Sequence, residues 1–138
     1  PAPACKLPHE LFQYISLITP NQTETELMTG VKLINEQSFI TAVENFNRMG
    51  VKDVIITLGS KGSLVCCGGK SEFVPAIKVN AIDATAAGDT FCGAVCVALS
   101  QGKNLKEAAA FATKAASLTV QKIGAQDSIP SIIDINMF

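Results

Sequence analysis

Apolar positions recur along this chain in two rhythms, one close to the helical period and one of short continuous runs. From Ser38 to Met49, residues Phe39, Ile40, Val43, Phe46 and Met49 follow near-helical spacing, and Gly50 offers a stop. Phe39, Val43 and Phe46 therefore read as a core stripe. Val54 to Leu58 (VIITL) is an unbroken, β-branched-rich run, as in parallel strands buried on both faces. Upstream, Pro8 opens a short helix through Leu11 and Phe12, and Tyr14 to Thr19 reads as a short strand closed by Pro20 and Asn21. Thr23 to Met28 reads as a helix with acidic residues in its first turn and Gly30 beyond its end. Ser63 to Cys67 and Ser71 to Ala76 form a hairpin across a Gly-Gly-Lys turn. A strand ending near Ile82 then leads into an apolar helix from Asp89 to Leu99, and Gly102 ends it. A second, Ala-rich helix spans Leu105 to Val120 with Asn104 as its N-cap, and the tail from Ile123 to Phe138 reads as loop. Alternating strands and helices predict an α/β fold with a mostly parallel sheet.

Composition narrows the function more than the fold. The chain has 138 residues, 48% of them hydrophobic and 17% charged, which excludes intrinsic disorder and fits one domain or a piece of one. Eleven basic against twelve acidic residues give a net charge of -1, with no basic footprint for nucleic acid or an anionic membrane. No apolar run reaches the roughly 18 residues of a membrane span. The opening PAPACKLPHE lacks a basic region followed by an apolar one, so it does not read as a secretory signal. The start at Pro1 is expected to reflect processing or a longer parent chain. Cys5, Cys66, Cys67, Cys92 and Cys96 form neither a CxxC pair nor a Cys/His ligand set. They are expected to be reduced and buried, which points to the cytoplasm. His9, the only histidine, opens a surface helix and is expected to be solvated.

Chemistry concentrates in Asp83-Ala84-Thr85-Ala86-Ala87-Gly88-Asp89-Thr90-Phe91. Small side chains at Ala86, Ala87 and Gly88 let a phosphate come close to the backbone. The first N–H groups of the following helix point at that place, with the positive end of the helix dipole behind them. A carboxylate at Asp89 could take a proton from an attacking hydroxyl. The same two residues, Gly88 and Asp89, would also make an ordinary helix start, and the spacing alone leaves both readings open.

This stretch, AIDATAAGDTFCGAVCVAL, resembles the D-T-x-G/A-A-G-D-x-F signature of the ribokinase (PfkB) family of carbohydrate kinases. Three further segments resemble the family in order: PAPA with LITPNQTETELMTG, VIITLGSKGSLV, and AAAFATKAASLTVQKIGAQDSIPS. Together they run from residue 1 to about Pro130. The resemblance implies a ribokinase-like, Rossmann-like α/β fold in which residues 1–138 are the C-terminal, nucleotide-binding part. It implies transfer of the γ-phosphoryl group of MgATP to the primary hydroxyl of a pentose, D-ribose at O5, with a fructokinase, an adenosine or other nucleoside kinase, or a nucleotide-binding fragment inactive alone as alternatives.

By this resemblance Asp89 is the catalytic base, and Ala86, Ala87 and Gly88 form the anion hole. Asn21 and Glu24 match an N-x-x-E motif that serves Mg²⁺ and the phosphates. On spacing alone, Asn21 ends a strand and Glu24 complements a helix dipole. Ser60 and Gly62 resemble the loop over the nucleotide, while Lys61 reads as solvated. Thr113 stands where relatives place a nucleotide-contacting Asn or His. Asp83 and Thr85 match the site of an activating monovalent cation, K⁺, completed by carbonyls near Thr119, Lys122 and Gly124 and by Ser128. Ala84 departs from the common Thr.

The family's sugar-binding Gly-Gly loop, the acidic residue that grips the sugar and the β-lid have no counterpart here. Gly68-Gly69-Lys70 lacks the accompanying Asn. The resemblance therefore implies a C-terminal half without a sugar pocket, and a homodimer for the full-length protein. Half of an open sheet leaves apolar faces exposed, so the polypeptide on its own is expected to be unstable, to aggregate, or to be completed by another chain.

Overall fold

A computed structural model describes residues 4–138, so that Pro1 to Pro3 of the PAPA segment lie outside the described residues. The chain divides into two compact units, Pro1–Leu58 with Leu64–Glu72, and Gly59–Ser63 with Phe73–Phe138.

In the first unit, α1 (His9–Phe12) precedes β1 (Leu17–Ile18), α2 (Gln22–Thr29), α3 (Glu36–Arg48) and β2 (Asp53–Thr57). β3 (Gly62–Cys67) and β4 (Lys70–Pro75) complete a sheet of order β1-β2-β3-β4. β1 and β2 run parallel, Leu17 beside Asp53 and Ile18 beside Val54. Connections as short as those on either side of β3 permit only antiparallel neighbours. The helical stripe packs as its spacing predicts: Ala42 and Phe46 of α3 are fully buried with Val54 and Ile56 of β2, and Phe12 lies 6.4 Å from Phe46 ring to ring. Both long helices of this unit carry reciprocal caps. Asn21 accepts the Glu24 N–H and Glu24 accepts the Asn21 N–H, and Asn35 and Ser38 do the same for α3.

Glu26 ties α2 to the segment that follows it. Its carboxylate accepts from Lys32 Nζ at 2.8 Å, the Leu33 N–H at 3.1 Å and Gln22 Nε2 at 3.3 Å. The Lys32 hydrogen bond first, then those from Leu33 and Gln22, lower its pKa from the ordinary 4.5 to about 2.

The second unit contains α4 (Ala87–Ser100), α5 (Leu105–Thr119) and α6 (Ile132–Met137). α5 turns four fully buried alanines, Ala108, Ala109, Ala112 and Ala115, to its packing side. Such small side chains let α4 approach closely with Phe91, Ala94, Val95 and Ala98. Gly62, also in this unit, has φ +119°, and a Cβ there would stand 2.1 Å from Val74 O and 2.7 Å from Ala76 N. Only glycine fits that crossing of backbone.

Several expectations need correction. The strand Tyr14 to Thr19 shrinks to Leu17–Ile18, with Tyr14 exposed. Among the described residues no strand lies between β4 and α4. Ile82 is 61% exposed, and the N–H groups of Ile82 and Asp83 both donate to Val120 O, at 2.7 and 3.1 Å, so this backbone pairs with a helix end and not with a sheet. The tail is not all loop: α6 forms behind a Ser131–Asp134 capping box and buries Ile135. The five cysteines are outside disulfides, yet only Cys66 is buried. Cys92 and Cys96 lie on the side of α4 opposite its alanine contact. Cys66 and Cys67 face opposite ways on β3, as adjacent strand residues must. Among the described residues no helix is long and apolar enough to cross a membrane.

Two outcomes follow from this packing. Gly62→Ala, forced against carbonyl and amide backbone, lowers stability by about 2–4 kcal/mol, read by denaturant unfolding. Glu26 has a folded pKa below its unfolded one, so its contribution is present above about pH 4.5 and lost as pH falls toward 2. Glu26→Gln is therefore less stable at pH 7, and its unfolding midpoint falls less steeply than that of the unmodified protein between pH 5 and 2.

Candidate active site

The chain enters α4 through a corner that no side chain caps. Ala86, the N-cap residue, sits at φ 61°, ψ 4°, the one non-glycine residue with positive φ among those described. A left-handed alanine costs about 1–2 kcal/mol and persists only where its surroundings hold it. Two backbone bonds do so: the Ala87 N–H donates to Ala84 O at 3.2 Å and the Thr90 N–H to Ala86 O at 2.8 Å. Between them, the N–H groups of Gly88 and Asp89 have no backbone acceptor among the described residues. A Cβ on Gly88 would meet nothing within 4 Å, so the space beside this residue is open. This is the arrangement that receives an anion: free amides, a helix dipole behind them and no side chain in front.

Asp89 stands on the first turn of α4, exposed, and no described residue hydrogen-bonds its carboxylate. A carboxylate bound to its own helix would be a poor proton acceptor for a ligand; this one is available. It borders a cleft of about 230 Å³ whose other walls include Gly93, Val97, Ile129, Pro130 and Ile132.

Asp83, by contrast, is fully engaged. Its two oxygens accept from the Thr85 N–H at 2.9 Å and, from 41 residues away, the Gly124 N–H at 3.1 Å. The hydrogen bonds from Thr85 first, then that from Gly124, hold its carboxyl below the usual carboxylate range. This latch brings Asp83, Thr85 and Gly124 together. Thr119 ends α5 fully buried, and its carbonyl accepts the Lys122 N–H at 3.1 Å. Ser128 is buried too, with its hydroxyl on Ala125 O at 2.6 Å. Among the described residues no three His, Cys, Asp or Glu gather as a tight divalent site needs.

The other expected residues divide by role. Asn21 and Glu24, in the first unit, each engage one side-chain oxygen in the cap of α2, at 2.8 Å in both directions. That reciprocal cap is a sufficient local reason for the N-x-x-E spacing, and both side chains carry hard oxygens of the class that serves Mg²⁺. Ser60 is exposed in the 3₁₀ turn Gly59–Lys61, and Gly62 is held by the backbone crossing described above. Thr113 is buried, with its hydroxyl donating to Ala109 O at 2.8 Å. His9 and Lys61 are exposed, as expected. Sequence reasoning missed two tertiary links: the Asp83–Gly124 latch and a hydroxyl pair between Thr90 and Thr119. Neither has a local spacing signal, because each joins segments far apart in sequence.

Comparison with known proteins agrees with this geometry. Residues 1–132 match the family described as pfkB family carbohydrate kinase. The ribokinase of Staphylococcus aureus is 50% identical over 137 residues, covering 99% of this chain and 45% of the relative. That of Haemophilus influenzae is 48% identical over 131 residues, 95% of this chain and 43% of the relative. Among solved structures, Arabidopsis thaliana ribokinase complexed with ribose and ATP superposes with a TM-score of 0.92 at 37% identity, over 97% of this chain and 44% of that one. Thermotoga maritima ribokinase gives 0.89 at 42% identity, over 99% and 46%. This chain spans a little under half the length of these relatives. A match over nearly its whole length, with the signature's Gly-or-Ala position falling on the left-handed residue Ala86, places the chain in the pfkB family of carbohydrate kinases.

Proposed function

We propose that this chain is the nucleotide-binding C-terminal part, residues 1–138, of an ATP-dependent sugar kinase that phosphorylates D-ribose at O5. The observation that carries the reading is the α4 corner: two amides without acceptors beside an unengaged carboxylate at Asp89. The ribokinase relatives, and the Arabidopsis thaliana structure complexed with ribose and ATP, support the choice of sugar and nucleotide.

In this reading the sugar oxygen attacks the γ-phosphorus, and the bond from that phosphorus to the β,γ-bridging oxygen breaks. ADP leaves, and the hydroxyl proton passes to Asp89. The Gly88 and Asp89 amides lie where charge gathers on the transferring group, and they are already oriented before it arrives. Positioning, not covalent chemistry, is the demand, and a helix start meets it. Asn21 and Glu24 are the residues assigned to Mg²⁺, which offsets phosphate charge. Asp83, Thr85, Thr119, Lys122, Gly124 and Ser128 are assigned to K⁺. Ser60, Gly62 and Thr113 are assigned to the nucleotide. These assignments, a homodimer and a cytoplasmic setting are supported by the family resemblance; for K⁺, the latched Asp83 and the neutral oxygens near it add to that support.

The test is Asp89→Asn in the full-length protein that carries this chain. Turnover with ribose and MgATP falls by about 10²–10⁴-fold, with ATP affinity within a few-fold of the unmodified protein. Near-normal turnover removes Asp89 from the role of base.

A further inference from the structure

The α4 corner has a mechanical problem that its local bonds do not solve. Four helices of this chain begin with a reciprocal side-chain cap, at Asn21, Asn35, Asn104 and Ser131. α4 begins at a left-handed alanine with no side-chain cap. A helix start that leaves its amides unbonded for a ligand frays unless something outside the helix holds it.

Among the described residues a side-chain hydrogen bond reaches the first turn from outside. Thr90 is 6% exposed and Thr119 is fully buried, and their hydroxyl oxygens stand 3.2 Å apart. Thr119 Oγ1 also lies 3.1 Å from Ala115 O. A threonine hydroxyl has one hydrogen. The Thr119 hydroxyl donates to Thr90 Oγ1, and its single hydrogen is shared with Ala115 O on the α5 backbone. Thr90 thus acts twice: its N–H grips Ala86 O at 2.8 Å, and its hydroxyl grips the last turn of α5. It is also the residue that directly follows Asp89. The carbonyl of Thr119 meanwhile accepts the Lys122 N–H, so the strut is rooted in the turn that leads on to Gly124.

We propose that the buried Thr90–Thr119 hydroxyl pair is a positioning device that fixes the first turn of α4, and with it the Gly88 and Asp89 amides and the Asp89 carboxylate. Thr119 thereby acts through its side chain, apart from any role of its carbonyl. The consequence for catalysis rests on the kinase reading above; the consequence for the order of the corner does not.

The experiment compares Thr119→Val and Thr90→Val, near-isosteric and without a hydroxyl, with Thr90→Ser, which keeps it, in the full-length protein. Hydrogen–deuterium exchange of the peptide containing residues 84–91 is measured beside kcat, the KM for ATP and the thermal midpoint. Each Val variant is expected to exchange this peptide at least tenfold faster and to lose at least tenfold in kcat. The KM is expected to change less than threefold, and Thr90→Ser to stay within threefold of the unmodified protein in every reading. The double Val variant is expected to be no worse than either single one, since both remove the same bond. Exchange within twofold of the unmodified protein in a folded Val variant overturns the proposal, as does a lowered thermal midpoint with kcat per folded molecule unchanged. If Thr119→Val does not fold, Thr90→Val carries the same expectation and the same refutation. If the unmodified protein phosphorylates no sugar, the kinase reading fails, while the exchange measurements still decide whether the pair orders the corner.

Discussion

A peptide amide that is free to bind a ligand is one that the fold has left unbonded, and a helix start with free amides needs a hold from elsewhere. That constraint organises the second unit of this chain. Ala86 adopts a left-handed conformation to turn the backbone into α4, and the Gly88 and Asp89 amides come out without acceptors. The surroundings supply what the helix start lacks. Asp83 is latched to Thr85 and Gly124, Thr90 is bonded to Ala86 and Thr119, and the alanine face of α5 lets α4 pack closely enough for those bonds to form. Strain at one residue and small side chains at four others are thus parts of one arrangement.

The first unit follows the opposite logic. Its helices α2 and α3 begin with reciprocal caps that satisfy their own ends, and its parallel β1–β2 pair buries Val54, Ile55 and Ile56. Asn21 and Glu24 show how one spacing can serve two purposes. The cap engages one oxygen of each and fixes their directions, and both are hard oxygen donors of the class a hydrated cation uses. A motif that looks catalytic can therefore have a structural cause, and the two causes are compatible.

Much of this was legible in the sequence, for reasons that differ by element. α3 and α5 announce themselves through an apolar stripe and an Asn104 cap, and the hairpin through its Gly-Gly turn. The corner was legible because small residues before a helix and an acid on its first turn are needed for anion binding wherever it occurs, and ordered motifs tied it to the family. The strand expected near Ile82 failed because the backbone there turns instead to the end of α5, where the Ile82 and Asp83 N–H groups both donate to Val120 O. α6 went unseen because six residues carry too little periodicity, although its Ser131–Asp134 box was in plain view. The burial expected of Cys92 and Cys96 rested on composition alone, which cannot say which side of α4 meets α5. The Thr90–Thr119 pair, 29 residues apart, had no local signal at all.

The central claim is that the Gly88 and Asp89 amides receive the terminal phosphate of ATP. The most direct measurement is an amide NMR titration of the full-length protein with a non-hydrolysable ATP analogue, compared with the matching ADP analogue. The account predicts that the resonances of Gly88 and Asp89 move most when the γ-phosphate is present and much less when it is absent. Resonances at these two positions that stay in place at saturation with the ATP analogue contradict it.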